Sequence, residues 1–328
     1  MNPLHPVELA TRGELVSVII PCYGQAHFLP DALNSVVAQT HGEFEAIIVN
    51  DGSLDGTDAV AAAFAERDAR IRVFRQENQG LSGARNAGLA RARGDFVVFL
   101  DADDVLFPNA LACGLAALRE HPKAVFASGR FQFMGHFREP LANPRQIGRI
   151  VEDPYTALLR VNQIAVPAMV MYRRSIFDDA GTFDASVSPA EDYDLYLRIT
   201  RRYPICTHDT LVAGYRQYGG GLSSNAARMG HAIMRVMDRQ RPHIAGDAEL
   251  ERAHREGVRF WRRFYFPRAA RRAMALCVGA GEWRPLFEEL PVVLRWGPLA
   301  MARYVPELAG RLLRSSGLRR RDRREVVA

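Results

Sequence analysis

The chain has 328 residues, of which 48% are hydrophobic and 24% charged, and its formal net charge is +6. That balance excludes a disordered chain and supplies a core for one large or two modest domains. The four cysteines, Cys22, Cys113, Cys206 and Cys277, have no CxxC or Cys/His ligand spacing, which argues against a zinc site or a disulfide framework and fits a reducing cytosol.

The first fourteen residues carry prolines and charges where a signal peptide needs a continuous apolar segment. No apolar run reaches the roughly 18 to 20 residues needed to cross a bilayer. The basic side chains are almost all arginine, with Lys123 the single lysine, so the positive charge is as consistent with compositional bias as with an anionic partner.

From residue 16 to 100 short apolar runs alternate with helical patterns. Strands are predicted over 16–20, 46–49, 71–74 and 96–100, and helices over 28–39, 58–67 and 81–92. Near-continuous apolar strands separated by helices predict an α/β, Rossmann-like, mostly parallel sheet covered by helices. In such sheets ligands bind beyond the carboxyl ends of the strands. Pro21, Cys22 and Tyr23 follow the first strand, Asp51, Gly52 and Ser53 the second, and Asp101 to Asp104 the fourth.

A helix over 108–120, a strand over 124–133 and a polar loop over 135–149 are expected next. A strand over 168–172 follows, then a helix opened by Pro189-Ala190-Glu191-Asp192, then two strands over 204–208 and 211–215. Beyond Asn225 the chain turns helical and Arg-rich, with candidates over 226–241, 250–266, 268–278 and 299–314. The expected organisation is an N-terminal extension (1–15), a catalytic domain (16–224), a helical C-terminal region (225–316) and an Arg-rich tail (317–328). Aromatics such as Trp261, Phe264, Trp283 and Trp296 among arginines suit a membrane surface or an acceptor face, and equally the core side of amphipathic helices. No recognised module accompanies the terminal arginines, so a specific nucleic-acid partner is not expected.

Asp101-Ala102-Asp103-Asp104 delivers three carboxylates where a buried strand ends. Carboxylates this close stay ionised together only when water or a cation compensates them, and hard oxygen ligands suit Mg2+ or Mn2+. Taken alone, the same acids serve as caps for the helix that follows. Asn50-Asp51-Gly52-Ser53 with Asp55-Gly56-Thr57 makes a tight turn able to present backbone N–H groups to a base, or simply a turn and an N-cap. Gly80 to Asn86 begins a helix whose amides and Arg85 suit phosphate oxygens.

Taken together, Ser17 to Tyr23, Val49 to Thr57, Gly80 to Gly88, Phe99 to Asp104 and Ala190 to Leu195 resemble, in order and spacing, the successive motifs of the family 2 glycosyltransferases. The resemblance spans about residues 16–224. It implies an A-type glycosyltransferase (GT-A) fold, a nucleotide-sugar donor, with UDP the family-weighted choice, and an inverting, metal-assisted transfer. By that likeness Tyr23 lies at the base, Asp51 bonds its edge, Arg85 is close to the nucleotide, Asp101 sits near the ribose, and Pro21 and Ala102 also belong to the nucleotide-sugar site. Asp103 binds the Mn2+ or Mg2+ that bridges the diphosphate, and Asp192, beside Glu191, is the general base.

Two positions depart from the family pattern. Gly24 stands where Asn is common, which predicts a looser first loop. After Tyr215-Arg216, Tyr218 stands where a metal-binding histidine is frequent, and a neutral phenol is a poor ligand for a hard dication. Gly219 to Ser224 then suits either a flap over the donor or a plain linker. The implied acceptor is a glycan or lipid-linked hydroxyl in cell-envelope or surface polysaccharide synthesis, which predicts a cytoplasmic protein with peripheral contact at the inner face of the cell membrane. Sugar choice is expected from 131–163 and 167–189. The competing expectations are a nucleotidyltransferase, which has no use for Asp192, and a non-catalytic nucleotide-sugar binding scaffold, which binds donor without turnover.

Overall fold

The computed structural model describes residues 14–142, 150, 153–218, 225–279 and 295. The helix expected over 299–314, the Arg-rich tail, the Gly219 to Ser224 segment, most of the N-terminal extension, and Trp283 and Trp296 lie outside the described residues, as does part of the segment assigned to sugar choice.

The first half is a run of β-α-β units: β1 Val16–Cys22, α1 Leu29–Val37, β2 Phe44–Asn50, α2 Thr57–Arg67, β3 Ile71–Arg75, α3 Gly80–Leu89 and β4 Phe96–Phe99. Next come β5 Val105–Leu106, α4 Ala110–Glu120, β6 Phe126–Met134, α5 Pro154–Arg160, β7 Val170–Arg173, α6 Ile176–Ala180, α7 Glu191–Thr200 and β8 Cys206–Arg216. Two long helices, α8 Ala226–Ile244 and α9 Ala248–Gly279, complete the described chain.

The strands form one sheet in the order β3-β2-β1-β4-β7-β6-β8-β5. β1 pairs in parallel with both β2 and β4, and β2 with β3. The sheet then turns mixed, because β7 runs antiparallel to β4 and β6, β6 and β8 are parallel, and β5 is antiparallel to β8. Every residue of β1, β2 and β4 is buried, as expected of strands covered on both faces. The chain leaves β1 for β2 on one side and reaches β4 on the other, which puts the β1 end at a topological switch point, where doubly wound sheets bind ligands.

Helix α3 lies tight on this half of the sheet. A Cβ at Gly88 would stand 2.3 Å from Cγ2 of Ile19 on β1 and 3.2 Å from Cγ2 of Val49 on β2. Helices α8 and α9 belong to the same apolar core, which runs without a break from Val16 to Trp261 and Phe266. Among the described residues no helix is long and apolar enough to cross a membrane.

Several expectations are corrected. The two strands over 204–208 and 211–215 are one strand, β8, whose pairing with β6 shifts register between Ser128 and Phe131. Extra residues on β8 bulge there, so Asp209-Thr210 is a local irregularity and not a turn. The helices over 250–266 and 268–278 are likewise one, α9, with Pro267 inside it. The proline removes one donor, but Phe266, Ala269 and Ala270 are fully buried around it and packing carries the helix through. The strand over 168–172 begins with a 3-10 turn at Pro167–Met169. β5, α5 and α6 were not anticipated. α5 has a legible start, since Asp153 precedes Pro154 and its Oδ2 accepts from the Thr156 N–H at 2.8 Å.

Candidate functional site

The loops after β1 and β2 are tied together. Gly24 N–H donates to Ser53 Oγ at 3.1 Å, and Ala26 N–H to Asp55 Oδ2 at 3.0 Å. Gly24 adopts φ +65°, a left-handed conformation that asparagine also tolerates. The glycine therefore adopts a φ that an asparagine could also take. Tyr23 projects from this loop, 56% exposed, in keeping with an aromatic face offered to a flat ligand.

Asp51 is buried, and its Oδ1 accepts from Gln76 Nε2 at 2.8 Å and from the Gln79 N–H at 2.9 Å. It thereby pins the segment that leads into α3. Gly52 beside it has φ +79°, and a Cβ there would stand 3.0 Å from the Asn78 nitrogen. Pro21 and Ala102 are buried, so they shape the strand ends from beneath.

Arg85 departs most from its expected setting. It is 2% exposed, and its guanidinium is turned inward, away from open phosphate access. Nη2 donates to both oxygens of Asp101, at 2.7 and 3.0 Å, and Nη1 donates to Glu191 Oε1 at 2.8 Å. Burial opposes its charge, but Asp101 and Glu191 outweigh that cost and hold the guanidinium more firmly protonated than usual. One side chain thus joins the carboxyl end of β4 to the first turn of α7.

Asp192 follows Glu191 on that turn and keeps part of its surface open, while its Oδ1 accepts from the Tyr193 N–H at 2.7 Å. Burial of the carboxyl and the like charge of Glu191 push its pKa up to about 7, against the pull of Arg85. The helix N-terminus favours the anion, yet here it is outweighed. A carboxylate whose proton affinity lies near neutrality is suited to general base work.

The remaining carboxylates divide the labour at the end of β4. Asp104 is buried, and its Oδ1 accepts from the Arg216 N–H at 2.9 Å. Burial, then Asp103 and Asp101, raise its pKa well above the ordinary value. Arg216 is also buried. Its Nε donates to the Asp103 carbonyl at 2.7 Å and its Nη2 to Asp31 Oδ2 at 2.8 Å, while its Nη1 donates to the His136 carbonyl. It therefore acts as a tie between β8, α1 and the Asp101 to Asp104 turn.

Asp103 keeps partial exposure, and its Oδ2 accepts from the Tyr218 hydroxyl at 2.8 Å. Burial and the neighbouring Asp101 raise its pKa. Among the described residues no three carboxylate, imidazole or thiolate groups converge to hold a cation by themselves. The donor set fits Mg2+ or Mn2+ carried by one carboxylate and completed by substrate phosphates and water.

Sequence reasoning placed Asp101, Asp103 and Asp192 but missed Gln25, whose Nε2 donates to the Tyr218 hydroxyl at 3.1 Å. It also missed the bond between Arg85 and Glu191. No local signal marks either, since each partner lies on a distant segment.

The glycosyl transferase family 2 model matches residues 17–181, half of the chain. The chain belongs to glycosyl transferase family 2. The match ends before Glu191, so the α7 carboxylates and Tyr218 lie beyond it. An uncharacterized glycosyltransferase of Bacillus subtilis (strain 168), EpsJ, is 34% identical over 185 residues, 54% of this chain and 54% of that protein. One of Rickettsia bellii (strain RML369-C) is 30% identical over 194 residues, 58% of this chain and 27% of that protein. The chain thus spans about half or less of the length of these curated relatives.

Among solved structures, S. aureus TarS 1–349 superposes with a TM-score of 0.61 at 19% identity, covering 90% of this chain and 86% of that one. The fold is accordingly that of the GT-A glycosyltransferases, a mixed eight-stranded sheet covered by helices. Mannosyltransferase PcManGT from Pyrobaculum calidifontis, solved with GDP-Man and Mn2+, gives 0.54 at 18% identity, with coverage of 92% and 86%.

Proposed function

We propose that this glycosyltransferase is inverting and metal-assisted, moving a sugar from a UDP-linked donor to a hydroxyl of a glycan or lipid-linked acceptor in cell-envelope or surface polysaccharide synthesis. The observation that carries the reading is the pair of carboxylate stations that Arg85 joins. One is the Asp101 and Asp103 group at the end of β4, which Arg85 reaches at Asp101; the other is the Glu191 and Asp192 pair on α7, which it reaches at Glu191, and there Asp192 has a proton affinity near neutrality. Donor chemistry is supported by TarS 1–349 having been solved in complex with UDP-GlcNAc, a likeness of TM-score 0.58 at 21% identity.

In an inverting displacement the acceptor oxygen attacks the anomeric carbon opposite the leaving diphosphate. Asp192 takes the acceptor proton at its carboxylate, which frees the oxygen as the bond forms. Arg85 holds Asp101 against the donor side and Glu191 against the acceptor side, so the two stations keep their separation. Tyr23 offers a stacking face to the base, and Asp51 keeps the adjoining loop in place. A divalent cation held by Asp103 and the donor phosphates would supply positive charge for the departing diphosphate. A nucleotidyl transfer has no use for the Asp192 and Glu191 pair, and this favours the glycosyl reading over that alternative.

The test is thermal stabilisation of the purified protein by UDP-sugars, GDP-mannose and free nucleotides, with and without Mn2+ or Mg2+, followed by NMR of the product anomer. A ligand that binds the native state raises the melting temperature. One donor giving a metal-dependent shift that Asp103→Ala abolishes, together with an inverted anomer, is the expected result. A retained anomer or no response to any nucleotide-sugar refutes it.

A further inference from the structure

Tyr218 stands at the end of β8 and is fixed from three sides. Its hydroxyl accepts from Gln25 Nε2 at 3.1 Å and donates to Asp103 Oδ2 at 2.8 Å. Its ring lies 5.0 Å from that of Phe28, centroid to centroid, at an interplanar angle of 56°. Phe28 is itself held by the Arg216 guanidinium, 4.6 Å from its ring centre. The Gln25 amide occupies an acceptor site of the phenol oxygen, so the single O–H of Tyr218 is directed to Asp103. The Arg216 bond to the Asp103 carbonyl fixes the backbone of the same residue. Both the main chain and one carboxylate oxygen of Asp103 are therefore set by the end of β8.

We propose that Tyr218 is a positioning residue for the cation: it binds no metal itself, but holds the Asp103 carboxylate in one orientation for the ion. The proposal rests on the reading of Asp103 as the cation's carboxylate. A neutral phenol is a poor ligand for a hard dication, whereas a hydrogen bond to the second oxygen of a ligating carboxylate orients it, and losing such a partner commonly costs about 10- to 100-fold in metal affinity. The group that replaces the frequent histidine thus serves the same ion one bond further out, and Gln25 aims it.

The test is Mn2+ affinity measured by the EPR signal of the free ion, with and without UDP, on the full chain. The variants are Tyr218→Phe, Gln25→Leu and Asp103→Asn, with melting temperatures compared. Tyr218→Phe keeps the ring on Phe28 and removes only the hydroxyl, and its dissociation constant is expected to rise about tenfold or more. Gln25→Leu, which leaves Tyr218 in place, is expected to weaken Mn2+ binding in the same direction by a smaller factor, and it decides the matter if Tyr218→Phe does not fold. Unchanged or tighter Mn2+ binding in both variants, with Asp103→Asn still losing the ion, overturns the positioning role and leaves the reading of Asp103 standing. Undiminished binding in Asp103→Asn, or no bound Mn2+ in the unaltered protein under either condition, removes that reading and the proposal with it.

Discussion

Arg85 and Glu191 are 106 positions apart in the chain, yet Arg85 Nη1 lies 2.8 Å from Glu191 Oε1 and both side chains are 2% exposed. A buried ion pair of this kind adds little over an apolar replacement of both partners, but breaking it strands an uncompensated charge. Arg85→Met leaves Glu191 and Asp101 facing one another without a cation and is expected to destabilise the fold by about 3–5 kcal/mol. Arg85→Lys is expected to recover only part of that, because an ammonium cannot fork to two carboxylates. Urea unfolding measures both, and a loss below about 1 kcal/mol for Arg85→Met would show that the pair is not held as described.

Asp192→Asn keeps the shape of the side chain and cannot accept a proton. Transfer is expected to fall at least about 100-fold, while donor affinity measured by calorimetry stays within a factor of about two, as expected of a group that acts on the acceptor proton. The folded pKa of Asp192, about 7, lies above the ordinary carboxylate value, so the fold binds this proton more tightly than the unfolded chain does. Its contribution to stability is complete at acid pH and is lost as pH rises from near 4 through about 7. Asp192→Asn is therefore expected to melt higher than the unaltered protein above pH 7 and to lose that advantage on acidification. A lower melting temperature at pH 8 would contradict the assignment.

If Asp192 is the base, the same carboxyl is expected to set the acid limb of activity. kcat/KM is expected to rise with pH through a midpoint near 7, as Asp192 gives up its proton and becomes able to take that of the acceptor. Glu191→Gln removes the like charge that raises Asp192 and leaves more of Arg85 to attract it, so the limb should move to lower pH. A pH profile of that variant with an unmoved or raised midpoint would separate Glu191 from the proton affinity of its neighbour.

Gly88→Ala tests the seat of α3. The new methyl would press on Ile19 and Val49, which are fully buried, and crowding of this kind costs about 1–3 kcal/mol. The expected result is a lower urea midpoint with an unchanged slope, and a protein as stable as before would mean that α3 sits further from the sheet than described.

What the sequence made legible is what depends on neighbours along the chain. β1, β2 and β4 are apolar apart from Ser17, Glu45 and Asn50, so their positions and the motifs at their ends, Asp51 and the Asp101 to Asp103 run, are legible by inspection. Asp192 was found the same way, as an acid opening a helix. The partners of these groups were hidden because they depend on tertiary packing. Arg85 appears in its own segment as a phosphate-binding cation, and only the approach of α7 turns it into the link between two carboxylates. Tyr218 is 115 positions from Asp103 and registers in the sequence only as a missing histidine. The break expected between two strands at Asp209-Thr210 is instead a register shift within β8, which pairing with β6 sets.

Tyr193 follows the proposed base and is buried. Its hydroxyl donates to the Leu158 carbonyl on α5, and its ring meets Trp261 of α9 edge-on, 6.0 Å centroid to centroid. From α8, Arg239 reaches Asp184 at 2.8 Å and Asp194, on α7, at 3.4 Å. The helix that carries Asp192 is thus buttressed by α5, α8 and α9, and the last two follow the final strand of the sheet. A chain cut after Arg216 would retain the stations after β1, β2 and β4, while α7 would keep its contact with α5 and lose those with α8 and α9. Such a truncation would be expected to separate recognition of a donor from its use, because α8 and α9 support the helix that carries the proposed base.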